Sequence, residues 1–236
     1  MSAETDGCGW SAGGGFGKKG RGYHHGRLRE ALLAAARGLI SERGPAGFTL
    51  AEAAKRVGVT GAAPYRHFAD RNALVAALAQ EGFEHFNEKL GSAWDSGRPD
   101  PVTALRRRGN AYLAFAKAEP GLYKAMFGDA GFLAGPTAPP DAKIAAQKAF
   151  DELVRTTVAV LRHFCAPENN ARGLAVQIWA MTHGVVELLL AGHFCGEAAQ
   201  AGAVLETAVA ALVEGEIRQS LGVKPVFPRE DISPKK

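Results

Sequence analysis

The 236-residue chain reads as an all-α protein, and three features of the sequence say so. From Leu28 onward, apolar residues recur at helical spacing in nearly every segment. No segment of useful length alternates apolar and polar residues with a period of two, so candidate strands are lacking. Glycine and proline fall between the periodic stretches and cut them to ordinary helix lengths.

Taken in order, residues 1–26 are Gly-rich, end in Lys18, Lys19, Arg21, His24 and His25, and read as a disordered basic arm. Leu28, Leu32, Ala36, Leu39 and Ile40 form the first apolar stripe, which Gly44-Pro45 stops. Thr49 and Glu52 have capping-box spacing, opening a short helix with Leu50, Ala53, Ala54 and Val57 on its apolar face; Gly58 ends it. Thr60 is placed to cap the next helix, with Pro64 in its first turn and Tyr65 and Phe68 turned inward. Asp70 caps a long helix carrying Leu74, Val75, Leu78, Phe83, Phe86 and Leu90 on one face, up to a break at Gly97-Arg98-Pro99. Further helices are expected at about 102–118, 121–127, 142–164, 170–193 and 198–221. Between the second and third of these, Gly128–Pro140 reads as a mobile loop, and residues 224–236 as a frayed tail.

A hydrophobic share of 47% with 22% charged residues is the profile of a soluble globular protein. The net charge of +4 is unevenly placed. Residues 1–71 hold 11 Lys and Arg against 6 Asp and Glu, whereas the remainder holds 17 against 18. A basic end on a neutral body suggests a polyanionic partner. The three cysteines, Cys8, Cys165 and Cys195, lack metal-ligand or redox spacing, which suits a reducing cytosol. No signal peptide is visible and no run approaches the apolar length needed to cross a bilayer, so a cytoplasmic location is expected without metal or cofactor.

Residues 50–68 give two short helices joined by Gly58-Val59, the helix-turn-helix arrangement in which the second helix enters the major groove. A DNA-binding domain over 27–72 follows. Small residues Gly61, Ala62 and Ala63 allow close approach to base edges. Tyr65 and His67 reach phosphates, as does Arg71, and Arg66 is the long side chain suited to a bidentate guanine contact. Thr49 and Thr60 join this DNA-facing set, the latter through the free N–H groups of the helix start. Lys18, Lys19 and Arg21 of the arm would add phosphate or minor-groove contacts.

The run Phe48-Thr49-Leu50-Ala51-Glu52-Ala53-Ala54-Lys55-Arg56-Val57-Gly58-Val59, then Tyr65-Arg66-His67-Phe68 and Arg71-Asn72-Ala73-Leu74, resembles the TetR family of regulators. The stretch Glu119–Gly128 and the signature Trp179-Ala180-Met181-Thr182-His183-Gly184 resemble a subgroup with a Trp-x-x-x-His-Gly C-terminal domain. The resemblance implies a homodimer with two DNA-binding heads and a helical C-terminal domain over 73–223. That domain would hold a small-molecule effector and dimerise through its last two long helices. It also implies a repressor released from double-stranded operator DNA. One departure stands out: where several relatives carry long polar readers, this chain has Ala51, Gly61, Ala62 and Ala63.

Within the C-terminal region, Tyr112, Phe115, Tyr123, Met126 and Phe127 recur at helical spacing, as either plain core or a cavity lining. With Trp179 and His183 they form the candidate effector pocket. His183 and Glu187 lie one turn apart on an apolar helix. They can anchor a ligand, form half of a metal site, or satisfy each other in the core; the last is expected, since buried polar groups find local partners. Arg106-Arg107-Arg108 can be a second anionic site or a solvated helix face, and the latter is expected. Two other functions compete. An architectural DNA-binding protein without effector would explain the small reading residues, and a helical enzyme using His183 and Glu187 lacks any nucleophile or phosphate loop behind it.

Overall fold

The computed structural model describes residues 25–128, 140–194 and 198–223, and among them no strand occurs. The helices are α1 (His25–Arg43), α2 (Leu50–Val57), α3 (Arg71–Trp94), α4 (Pro101–Ala118), α5 (Pro120–Phe127), α6 (Pro140–His163), α7 (Ala171–Leu190) and α8 (Ala198–Ser220). These match the expected spans to within a few residues at most ends. The arm with Lys18, Lys19 and Arg21, most of the 128–140 loop, Cys8, Cys195 and the tail lie outside the described residues.

Helix ends are fixed by side chains that can satisfy free N–H groups. Thr49 accepts from the Glu52 amide at 3.2 Å while the Glu52 carboxylate accepts from the Thr49 amide at 2.8 Å, a complete capping box. Gly58 closes α2 at φ 80°, in the left-handed region that glycine enters without steric cost. Asp70 accepts from the Ala73 amide at 2.7 Å, and Asp100 accepts from the amides of Val102 and Thr103 at 3.0 and 2.9 Å.

Packing follows from the apolar stripes. Leu32, Ala36 and Ile40 of α1 are fully buried against Leu50, Ala53 and Phe68, forming the core of the small N-terminal head. That core runs without interruption into α3, α4 and α5 through Leu74, Leu78, Phe83, Phe115, Leu122 and Met126. A second cluster at the far end joins Leu105 of α4 to Val160 and Leu161 of α6, Leu174 and Ile178 of α7, and Val213 of α8. α4 is the central post of the larger body: it touches α3, α5, α6, α7 and α8.

Three expectations are corrected here. The second helix of the helix-turn-helix is a single 3₁₀ turn, Ala63–Arg66, and Thr60 does not cap it: the capping position is Ala62, and only the Thr60 carbonyl is engaged, by the Ala63 amide at 3.0 Å. Tyr65 is not turned inward but is 61% exposed, while Phe68 is buried as expected. Finally, α7, at 20 residues, is long and apolar enough by composition alone to cross a membrane, so one run does reach that length. In the fold it packs against α6 and α8 and leaves its outer face open, where Met181 and Leu188 are exposed.

Candidate DNA interface and interior cavity

The head is stiffened by ion pairs that tie α1 to α2. Arg43 meets Glu52 at 2.9 Å, and Arg56 grips both oxygens of Glu42 at 2.9 and 3.0 Å. Arg71 donates to the Ala46 carbonyl and to the Asn72 side chain, each at 3.0 Å. Its guanidinium thus braces the α1–α2 loop from the start of α3, a structural task beside the phosphate contact expected of it. The Thr49 hydroxyl is likewise spent on the cap. What remains outward is a compact apex: Thr60, Gly61, Ala62, Tyr65 and Arg66 are exposed, and Ala63 and His67 are half-buried. Pro64 is buried beneath them and anchors the turn. Arg66 makes no hydrogen bond or ion pair among the described residues, so its guanidinium is available. Arg27 at the start of α1 and Lys55 on α2 are also exposed and unpaired among the described residues. The sequence reading passed over both, although their charge and helical position marked them.

A cavity of about 1360 Å³ opens inside the larger body, walled by α3, α4, α5, α6, α7 and α8. Of the expected pocket residues, Tyr112, Met126, Phe127, Trp179 and His183 line it. Phe115 and Tyr123 do not; each is only 1% exposed and belongs to the packed core between α3, α4 and α5. Aromatic edges surround His183: its ring lies 4.7 Å from Phe127, 5.0 Å from Trp179 and 5.5 Å from Tyr112 between centroids.

His183 and Glu187 are not paired with each other, contrary to expectation. The His183 Nδ1 lies 3.0 Å from the Trp179 carbonyl, which can only accept, so that nitrogen carries the proton. In the neutral ring Nε2 then accepts from the Tyr112 hydroxyl at 3.0 Å. Glu187 instead accepts from the Tyr123 hydroxyl at 3.0 Å. Burial pushes His183 below its usual 6.5, against the opposing influence of the Trp179 carbonyl and Glu187. Burial likewise pushes Tyr112 and Tyr123 upward, helped in both cases by the Glu187 charge, so both stay hydroxyls.

Arg108 was expected on a solvated face and is the opposite: it is 5% exposed and lines the cavity. Burial lowers its pKa to about 10, partly offset by Glu152. A signal was available, since Arg108 is three residues after Leu105 and four before Tyr112, on the buried stripe of α4. The flanking arginines behave differently. Arg106 pairs with Glu206 at 3.2 Å, and Arg107 donates to the carbonyls of Ala93 and Arg98.

Helix α5 lies between cavity and head. Met126 and Phe127 face the cavity, while Tyr123 holds Glu187. On its other side the Lys124 Nζ donates to the Ser41 carbonyl at 2.8 Å, and Arg37 pairs with Glu119 just before the helix. Gly121 touches α1 so closely that a Cβ there would lie 2.2 Å from the Arg37 carbonyl.

Comparison with known proteins agrees with this geometry. The sequence profile described as "Bacterial regulatory proteins, tetR family" matches residues 32–78, and that described as "Tetracyclin repressor-like, C-terminal domain" matches residues 105–212. A nucleoid occlusion factor, SlmA, of Vibrio cholerae is 34% identical over 104 residues, covering 44% of this chain and 53% of that protein. The chain thus spans about half the length of the curated relatives it matches. A solved structure of a protein of unknown function from Rhodococcus sp. RHA1 superposes with a TM-score of 0.69 at 29% identity, covering 84% of this chain and 99% of that one. A TetR-family transcriptional regulator from Pectobacterium atrosepticum gives a TM-score of 0.56 at 28% identity, covering 87% and 97%.

Proposed function

Because the chain belongs to the TetR family of DNA-binding transcriptional regulators, we propose that it is a cytoplasmic repressor, not an enzyme, whose dimer releases its operator when a small molecule fills the cavity. The observation that carries this reading is α5, which has one face on the cavity and the other on α1. A ligand that favours one position of α5 would reset the head, and release follows only if the two positions differ in ligand affinity.

DNA contact is assigned to the apex. Arg66 reads a guanine edge, Ala62 and Ala63 lie against base edges, and Tyr65 and His67 meet phosphates, with Gly61 and Thr60 allowing close approach. The 3₁₀ turn offers little of a helix dipole, so charge on Arg66, Lys55, Arg27 and the arm carries more of the binding. Two heads are set by a dimer through the outer faces of α7 and α8. There Met181, Leu188 and Val204 are 37%, 46% and 44% exposed. Gly184 and Gly215 lie between such residues, and a Cβ on either would meet nothing within 4 Å. Glycine inside a helix costs about 0.5–1 kcal/mol against alanine, and a closely approaching second helix gives it a purpose.

A second reading, DNA binding without an effector, is favoured by the small apex residues and by the likeness to a nucleoid occlusion factor. Fluorescence anisotropy on the upstream intergenic duplex and a scrambled duplex across a salt series separates the two. A preference of about a thousandfold or more supports the operator reading, while equal binding with a steep salt slope favours the second. Arg66→Ala is expected to cost about 1–3 kcal/mol in specific affinity with helix content unchanged by circular dichroism.

A further inference from the structure

The cavity wall holds a charge without a partner. Arg108 is 5% exposed, and among the described residues it makes no hydrogen bond and no ion pair. Glu152 is the carboxylate it feels most, but that carboxylate is held through both oxygens by Arg155, at 2.5 and 3.2 Å. Among the described residues no polar side-chain atom is sealed away unpartnered, so the Arg108 nitrogens are reached from the cavity they line. A guanidinium held in a largely apolar space has no protein partner to offset its burial, an arrangement that persists where a bound group supplies one.

The surroundings give the partner its remaining features. Five cations, Arg106, Arg108, Lys143, Arg172 and Arg218, border the cavity against two carboxylates, Glu206 and Glu214. The rest of the lining is dominated by aromatic and aliphatic side chains, and about 1360 Å³ is ample for a long apolar body.

We propose that the cavity binds an amphipathic monoanion, its apolar body among Phe86, Phe150, Ile178 and Trp179 and its carboxylate paired to the Arg108 guanidinium. A planar fork suits a carboxylate through two parallel hydrogen bonds. One deeply buried cation balances one negative charge. A dianionic phosphate would leave a net charge in the apolar interior, so phosphate is disfavoured there. The assignment rests on the effector reading of the cavity and names the class of effector.

Isothermal titration of the full chain with decanoate, decyl phosphate and 1-decanol tests it, on wild type and on Arg108→Met. Decanoate is expected to bind wild type at least about tenfold tighter than decanol and tighter than decyl phosphate. Arg108→Met should abolish that preference, keep decanol binding, and melt above wild type without ligand. Equal affinity of wild type for decanoate and decanol overturns the anion site while leaving a ligand-binding cavity. So does a preference that survives Arg108→Met, and so does tighter binding of decyl phosphate. No binding of any of the three overturns it as well. If Arg108→Met does not fold, Arg108→Gln replaces it; failure of both makes Arg108 a structural residue and ends the proposal. Anisotropy of an operator duplex in the same titration keeps the two readings apart. Arg108-dependent decanoate binding without DNA release upholds the anion site and removes the effector role.

Discussion

Thr49 spends its single hydroxyl on folding. It accepts from the Glu52 amide and donates to the Glu52 carboxylate at 3.1 Å, while Arg43 holds that carboxylate from α1. Thr49→Ala is therefore expected to lower unfolding free energy by about 1 kcal/mol in urea titration, and Thr49→Ser to retain most of it. His183 makes a different prediction. Its folded value lies below 6.5, so between the two values the unfolded chain holds a proton that the folded chain lacks. Stability is full above that window, falls as pH drops through it, and levels off below the folded value. The melting temperature should hold above the ordinary histidine value and decline as pH drops below it, and His183→Gln should flatten the decline. An unchanged slope would exclude His183 as the cause.

Between residue and molecule, α5 is the element on which the proposed communication depends. Its packing on α1 leaves no room at Gly121, where a Cβ would meet backbone, not a side chain that can swing aside. Gly121→Ala should separate α5 from α1 at about 1–3 kcal/mol of stability, seen as a lower melting temperature. Effector-dependent DNA release should weaken in the same variant. Element boundaries were largely legible in the sequence because caps and glycine–proline breaks act locally, as at Thr49, Gly58 and Asp70. The apex was not. A single turn between Thr60 and Phe68 is too short to show periodicity, and Gly61 with Pro64 leaves the choice between α and 3₁₀ winding to tertiary contacts. The partners of His183 and Glu187 were hidden for a related reason: Tyr112 and Tyr123 arrive from other helices, about 70 residues away in sequence.

Across the whole molecule, the cavity and the proposed dimer face arise from how helices are arranged, which no single segment encodes. The proposed pairing of the outer faces of α7 and α8 predicts that Met181→Glu yields a monomer in size-exclusion chromatography with light scattering. Its specific DNA affinity should fall by about a hundredfold or more, since one head then binds where two did, while circular dichroism stays unchanged. The contacts of α5 with α1 carry a wider consequence. Arg37, Ser41, Glu119, Gly121 and Lys124 join head to body, and none of them belongs to the Thr60–His67 apex. On the proposed reading, the address on DNA and the chemical trigger are written in separate sets of residues. Mutation can therefore redirect the protein to new promoters while its response to the same compound is inherited, or retune the response while the promoters stay fixed.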